Sequence, residues 1–338
     1  MSETAKTKND FKRLYRMHQG YFYSNLLHTA LELGVFKHLK NYASPFDAAQ
    51  KLNTHPANTS RFFNGLAAIG LLKKKKALYK NSPLSQTYLD QDSEFYIGDY
   101  LLYHAEWNTP LFDNFKAILQ NGPPAREAKA DDPELWALGA TAIAQFQKAC
   151  TGPALARIIS GLDEFHSFGR MLDLAGGPGI NALEIIKAHP SLKGVLFDRP
   201  AVIEVAQKYI KQYQLGSRLS VIPGNFQADS FGQGYDLILA SACLNFVRQD
   251  LTKMIKRIHQ SLNPGGVFVS IHDGLTHEGT RPASFALSWM PVAMMWQELS
   301  LEKGLIAQAM VKAGFKTVVS EQISFGIGEM AMDIGRKV

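Results

Sequence analysis

The chain has 338 residues, a length that favours two domains over one. Hydrophobic residues make up 46% and charged residues 20%, and the formal net charge is +6, which is typical of a globular protein with a mildly basic surface. The two cysteines exclude a disulfide framework and give no metal-ligand spacing, so no metal site is predicted. No apolar run reaches the roughly 18 residues of a membrane span, and the N-terminus lacks a signal-peptide core. We therefore expect a cytoplasmic protein without membrane contact.

The first part of the chain is predicted to be helical. Apolar residues recur with helical spacing from about residue 11 to residue 40. Two helices and a hairpin are predicted over residues 44–81. Ser44 would cap the first helix, Thr54 or Asn58 would cap the second, and Gly70 would end it. This order of elements is typical of a winged helix.

The second of these helices argues against a nucleic-acid partner. It carries one arginine, Arg61, and several apolar residues, without the basic, amide-rich face that reads a major groove. The lysine run at residues 73–76 fits a solvated hairpin turn. A packing or dimerisation role is therefore favoured for this region.

Helical segments continue over residues 84–165, with loops at 121–124 and 131–133, and then the pattern changes. Strands are predicted at 170–174, 194–197, 219–222, 235–240, 266–271, 316–323 and 328–336, with helices at 180–188, 200–213 and 250–262. Apolar strands that alternate with helices indicate a mostly parallel sheet covered on both faces. We predict an α/β fold with a winged-helix-like helical domain over residues 1–165 and a sheet domain over residues 166–338.

A glycine cluster after the first of these strands predicts a nucleoside site. Asp173 is followed by Gly176, Gly177 and Gly179, and Asp198 ends the next strand 19 positions after Gly179. A carboxylate at about this distance binds ribose hydroxyls in βαβ units. The glycines alone would also suit an ordinary turn. Asp173 would repel a pyrophosphate but attract an ammonium group, which favours S-adenosylmethionine over a dinucleotide.

The ends of the later strands supply further candidates. Asn225 could pair with an adenine edge and Phe226 could stack on its face, although Asn225 also fits an ordinary turn. Ser241 and Asn245 follow the fourth strand, and His272 ends the fifth. Because ligands bind beyond the carboxyl ends of parallel strands, these residues are predicted to share one site.

These motifs together resemble the S-adenosylmethionine-dependent O-methyltransferases of the plant caffeate and animal acetylserotonin type, with their bacterial relatives. The resemblance covers nearly the whole chain. It implies a Rossmann-like methyltransferase domain and a first domain that forms a homodimer and lines part of the substrate pocket. It also implies that Asp198 holds the ribose. The segments that carry it are 31–36, 66–72, 172–179, 197–202, 262–266 and 313–315.

The chain departs from this family where catalysis is expected. The family has a histidine as general base where this sequence has Asn245, and a lysine where it has Ser241, which we assign to the cofactor site. An amide cannot act as a base near neutral pH. Three interpretations stay open. In the first, Asn245 guides an acidic hydroxyl that needs only proximity. In the second, His272 or His104 is the base. In the third, methyl goes to carbon or nitrogen, or the cofactor serves other chemistry.

The substrate is predicted to be a small aromatic or polycyclic molecule. Trp289, Met290 and Met294 follow the fifth strand, and Trp107 lies in the helical region; such side chains suit a flat ring, although a plain core helix would also contain them. We therefore expect methyl transfer to a hydroxyl of this substrate. The rival hypothesis is a winged-helix regulator that retains the cofactor fold without catalysis.

Overall fold

The computed structural model describes residues 3–123 and 132–338, with side chains from residue 9 onward. The chain divides into two compact units after Trp107. This division lies earlier than the boundary predicted at residue 165, because the helices between these positions pack on helices of the sheet unit. Pro124 and Asp131, in the two predicted loops, lie outside the described residues.

The N-terminal unit has the predicted order of helix, helix and hairpin. The Ser44 hydroxyl accepts a hydrogen bond from the Asp47 amide and caps α3, as predicted. The cap of α4 is His55 rather than Thr54 or Asn58, because its Nδ1 accepts from the Asn58 amide. The elements are α1 (Glu3–Glu32), α2 (Val35–His38), α3 (Pro45–Leu52), α4 (Pro56–Ala68), β1 (Leu72–Lys75), β2 (Leu78–Asn81), α5 (Pro83–Tyr88) and α6 (Gly98–Asn121), which crosses the unit boundary.

Helix α1 carries a row of exposed apolar side chains. Phe11, Leu14, Met17, Tyr21 and Phe22 are all more than half exposed. Isolated exposed apolar residues are ordinary, but a continuous row on one long helix is typical of an interaction surface.

The C-terminal unit is built around a seven-stranded sheet. Its strands are ordered β5-β4-β3-β6-β7-β9-β8; β5 through β7 run parallel, and β9 pairs antiparallel with both β7 and β8. The strands are β3 (Arg170–Leu174), β4 (Lys193–Asp198), β5 (Leu219–Pro223), β6 (Tyr235–Ser241), β7 (Leu262–His272), β8 (Thr317–Phe325) and β9 (Gly328–Arg336).

Helices cover the sheet, as the alternating pattern predicts. Two cores of buried apolar side chains result, one containing Leu183 and Leu196 and the other Leu172 and Ile255. The helices are α7 (Pro133–Phe146), α8 (Gly152–Ser160), α9 (Ile180–Ala188), α10 (Pro200–Gln212), α11 (Leu251–Ser261), α12 (Ala283–Met295) and α13 (Leu305–Ala313). A π-helical turn (Gln147–Thr151) joins α7 to α8, and short 3₁₀ segments lie at Phe165–Ser167 and Leu244–Asp250.

Sequence and structure differ most at β7. The strand begins at Leu262, four residues before the predicted start, and so includes the turn-like sequence Asn263-Pro264-Gly265-Gly266. Its pairing with β6 shifts register between Tyr235 and Leu237, and Gly265 has a φ of +76°. This irregularity lets a turn-like sequence stay in the sheet, because glycine adopts positive φ without strain.

None of the helices described is both long and apolar enough to cross a membrane.

Candidate functional site

The loop between β3 and α9 lies at the carboxyl edge of the sheet and has little room for side chains. Gly177 and Gly179 have φ of +64° and +78°, in the left-handed region that favours glycine. A Cβ on Gly176 would overlap the Asp173 carboxyl group and Leu196. Each of the three glycines is therefore required by the backbone or by space.

Two strands at this edge end on residues with strained backbone. Ala175 follows β3 with φ +51°, and Ala242 follows the neighbouring strand β6 with φ +54°. Left-handed backbone is uncommon for residues other than glycine and often marks functional loops.

Asp198 ends β4 beside the glycine loop. Its Oδ2 accepts a hydrogen bond from the Gly177 amide at 2.7 Å, and its Oδ1 accepts from the Arg199 amide at 2.7 Å. Burial raises the pKa of Asp198, while the two amide donors lower it. Because a carboxylate oxygen can accept more than one hydrogen bond, Asp198 still has capacity for ribose hydroxyls.

Asp173 is the most unusual group at this edge. It is fully buried, and neither carboxyl oxygen has a hydrogen-bond partner among the described residues. Burial and then the neighbouring Asp198 carboxylate raise the pKa of Asp173 to about 7, against a smaller lowering effect of the nearby Ala182 backbone amide, which lies outside hydrogen-bond geometry. An unpaired buried carboxylate is costly unless a ligand supplies the missing positive charge. Asp173 and Asp198 together therefore fit a ligand that has an ammonium group and a ribose, as the predicted S-adenosylmethionine does.

Gln147 was missed by the sequence analysis. Its side chain is buried; its Nε2 donates to the Gly176 carbonyl at 3.3 Å, and its Oε1 accepts from the Ile180 amide at 3.1 Å. It lies 29 positions before Gly176, in a π-helical turn. No spacing rule connects such distant positions, so the sequence offered no signal for this contact.

Asn225 and Phe226 lie beyond the end of β5, as predicted. The Asn225 Oδ1 accepts from the Gln227 amide at 3.1 Å, and its backbone amide donates to Asp229 at 2.8 Å. Asn225 therefore organises a local turn, and the Phe226 ring packs against the core. Their predicted contacts with adenine stay predictions, as does the cofactor role of half-buried Ser241 at the end of β6.

Asn245 is buried and held in one orientation. Its Nδ2 donates to Asp273 Oδ1 at 2.8 Å and to the Leu299 carbonyl at 2.9 Å. Both partners are acceptors, which assigns the amide nitrogen to that side. The opposite atom, Oδ1, has no hydrogen-bond partner among the described residues. Asn245 therefore presents a fixed acceptor to any group that enters beside it.

His272 has a hydrogen-bond partner at each ring nitrogen. It is buried, its Nε2 lies 2.9 Å from Asp333 Oδ2, and its Nδ1 accepts from the Gly274 amide at 3.2 Å. This pattern assigns the ring proton to Nε2 and occupies both nitrogens. The geometry gives His272 a contact that joins β7 to β9, and its catalytic role stays a prediction.

The remaining predicted residues are distributed over both units. His104 and Trp107 belong to the N-terminal unit, where burial lowers the pKa of His104 and the Trp107 side chain is exposed. Trp289, Met290 and Met294 lie half-buried on α12 in the C-terminal unit, where Trp289 packs against the core. Their catalytic and substrate roles stay predictions. Within the described ranges, no group of three potential metal ligands occurs.

A mostly parallel sheet with a glycine loop and two carboxylates at its carboxyl edge defines a Rossmann-like, nucleoside-binding class of protein. The family model described as an O-methyltransferase domain matches residues 115–316, and the O-methyltransferase dimerisation domain matches residues 15–91. The chain belongs to the O-methyltransferase family and is a methyltransferase. The predicted fold class is confirmed, and the rival regulator hypothesis loses its support.

Known relatives are distant but cover most of the chain. The N,N-dimethyltransferase OxyT of Streptomyces rimosus is 26% identical over 330 residues, covering 94% of each protein. The tetracenomycin polyketide synthesis 8-O-methyl transferase TcmO of Streptomyces glaucescens is 25% identical over 282 residues, covering 81% of each. The crystal structure of human N-acetylserotonin methyltransferase in complex with SAM superposes with a TM-score of 0.79 at 20% identity, covering 100% of this chain and 98% of that one.

Proposed function

We propose that this protein transfers a methyl group from S-adenosylmethionine to a hydroxyl of a small aromatic or polycyclic molecule, mainly by proximity and orientation. The observation that carries the cofactor assignment is Asp173, which is fully buried with both oxygens unpaired beneath the glycine loop of an O-methyltransferase domain. The names of relatives such as TcmO support an aromatic polyketide-like acceptor.

Each residue at the strand ends binds a different part of the cofactor. Asp173 binds the ammonium of the amino-acid end, and Asp198 accepts from the ribose hydroxyls. The Gly176–Gly179 backbone lies against the ligand, and Asn225, Phe226 and Ser241 complete the adenosine site. The sulfonium of the bound cofactor supplies an electrophilic methyl group, so alignment contributes most of the catalysis.

On the acceptor side, Asn245 is the guiding residue in place of the family's usual catalytic histidine. Its free Oδ1 accepts the hydroxyl proton in a hydrogen bond and orients the oxygen, but an amide cannot remove that proton near neutral pH. The hydroxyl must therefore ionise by its own acidity, which favours phenols activated by a neighbouring carbonyl. In this proposal, Trp289, Met290 and Met294 supply the apolar surface against the aromatic ring of the substrate.

A second candidate function is methyl transfer to an amine. The same Oδ1 suits an N–H donor, and the Asp273 carboxylate behind Asn245 favours the positive charge that a methylated nitrogen acquires. A neutral amine also needs no general base. The N,N-dimethyltransferase OxyT supports this alternative.

The protein acts as a homodimer in this proposal. The exposed apolar row of α1 overlaps the matched dimerisation domain, which provides a surface for a second copy. The cytoplasmic location and the lack of a nucleic-acid partner stay predictions from the sequence.

The experiment compares Asp198→Ala with Asp236→Ala by calorimetry with S-adenosylhomocysteine. Asp236 also accepts two backbone amides, but from Gly169 and from Arg170, the first residue of β3, at the amino end of the sheet. We expect Asp198→Ala to weaken binding by about 1–3 kcal/mol through loss of a charge-assisted hydrogen bond, and Asp236→Ala to leave affinity unchanged. Absence of any affinity in the wild-type protein would overturn the proposed function.

A further inference from the structure

We propose that Gln147 is a positioning residue for the cofactor: it fixes the Gly176–Gly177 peptide and thereby sets the ribose-binding carboxylate of Asp198. The proposal rests on the proposed function, because it assumes that the ligand at this loop is S-adenosylmethionine.

The side-chain amide of Gln147 uses both of its ends. Its Nε2 donates to the Gly176 carbonyl at 3.3 Å, and its Oε1 accepts from the Ile180 amide at 3.1 Å. The Ile180 amide belongs to the first turn of α9, whose N-cap residue Gly179 has no side chain to satisfy it. Gln147 therefore spans the glycine loop, from Gly176 to the start of the helix.

The contact with Gly176 controls Asp198 because a peptide unit is planar. In a trans peptide the carbonyl of one residue and the amide of the next point in opposite directions. On one side the Gly176 carbonyl accepts from Gln147 Nε2 at 3.3 Å and from the Gly179 amide at 3.2 Å, and on the other side the Gly177 amide donates to Asp198 Oδ2 at 2.7 Å. Gln147 and Asp198 thus clamp one peptide from opposite sides. Without the Gln147 contact, the Gly179 amide is the remaining described donor to the Gly176 carbonyl, so this glycine peptide rotates more easily and Asp198 is held less firmly.

Glutamine is required here because the loop presents one acceptor and one donor. Methionine would fill a similar volume without hydrogen bonds. Glutamate would keep an acceptor for Ile180 but would place a negative oxygen against the Gly176 carbonyl, in a region that already contains Asp173 and Asp198. The position of Gln147 in a π-helical turn is consistent with a functional role, since such turns are frequent at functional sites.

The same helical segment contacts two further strand-end loops. The Trp136 ring of α7 lies 4.6 Å from the Arg199 guanidinium, next to Asp198, and 6.1 Å from the Phe246 ring, next to Asn245. The segment of α7 and the π-helical turn therefore contacts both the residues after β4 and the residues after β6. Gln147 adds the polar contact of this segment with the glycine loop.

The test compares Gln147→Met with Thr151→Val. Thr151 lies in the same π-helical turn, and its hydroxyl donates to Asn181 Oδ1 at 2.8 Å, so Thr151→Val also removes a buried hydrogen bond but leaves the loop untouched. Affinity for S-adenosylhomocysteine is measured by calorimetry and the unfolding midpoint by calorimetric scanning. We expect both variants to lose stability, but only Gln147→Met to lose about tenfold or more in affinity.

Each outcome decides whether Gln147 positions the cofactor or only packs in the interior. Equal affinity losses in the two variants, or none in Gln147→Met, would reduce Gln147 to a packing residue and overturn the inference. If Gln147→Met does not fold, Gln147→Glu replaces it, with a larger expected loss of affinity. A wild-type protein that binds no S-adenosylhomocysteine would instead refute the proposed function, and the inference with it.

Discussion

Replacing Asp173 by asparagine should stabilise the ligand-free protein at high pH while weakening its binding site. The pKa of Asp173 rises from 3.8 to about 7 because the carboxyl group is fully buried and faces Asp198. Its charge also acts on the Cys243 thiol, whose pKa is raised mainly by burial. An acid whose pKa is higher in the folded state holds more protons there than in the unfolded chain. Stability is therefore lost as pH rises between the two pKa values.

The magnitude follows from these two pKa values. Between pH 5 and pH 8, ionisation of Asp173 should lower the free energy of unfolding by about 2–3 kcal/mol, because a tenfold difference in proton affinity corresponds to about 1.4 kcal/mol. Asparagine has nearly the same shape and does not ionise, so this loss should be absent from Asp173→Asn. Relative to the wild type, the variant should therefore gain about 2–3 kcal/mol on going from pH 5 to pH 8.

The assay is denaturant unfolding of the ligand-free wild-type and variant proteins at both pH values. Asp236→Asn serves as the control, because that carboxylate accepts two backbone amides at the opposite edge of the sheet. If the stability difference between Asp173→Asn and the wild type is the same at pH 5 and pH 8, the buried-charge argument fails. A stabilised variant that also loses affinity for S-adenosylhomocysteine would link the instability directly to ligand binding.

Two further substitutions probe the acceptor side and the loop. Asn245→Ala should lower the rate of methyl transfer about 10- to 100-fold by removing the orienting acceptor, with unchanged affinity for S-adenosylhomocysteine in calorimetry; a parallel loss of that affinity would contradict the assignment. Gly176→Ala should weaken S-adenosylhomocysteine binding at least about tenfold, because the added methyl group overlaps Asp173 and Leu196. The control is Gly20→Ala, whose added methyl group has no neighbouring atom within 4 Å and which should bind as the wild type does. Equal affinity of these two alanine variants would show that the loop adapts.

The sheet and the glycine loop at its carboxyl edge could be predicted because their signals are local. Strand β3 is a short apolar run that ends in glycines, and β4 is another that ends in Asp198, so composition and spacing were enough. The cap of α4 was missed because histidine is an unusual cap, and the start of β7 because the strand contains a turn-like sequence.

The contacts that define the orientation of the site were not predictable, because they join distant positions. Gln147 contacts Gly176 across 29 residues, and Asn245 contacts the Leu299 carbonyl across 54. The pairing of His272 with Asp333 depends on the antiparallel register of β7 and β9, which a strand pattern does not specify. Residue type therefore identified the candidate site residues, whereas their hydrogen-bond partners depend on the folded chain.

At Ala175 and Ala242 the stability of the folded chain and the rigidity of the loops favour different residues. Each adopts a backbone that glycine would accept freely, at a cost of about 1 kcal/mol. Glycine would remove that cost but would also widen the range of shapes open to each loop before a ligand arrives. A lineage under selection for heat resistance should therefore leave these two positions alone and improve the distant hydrophobic layers instead.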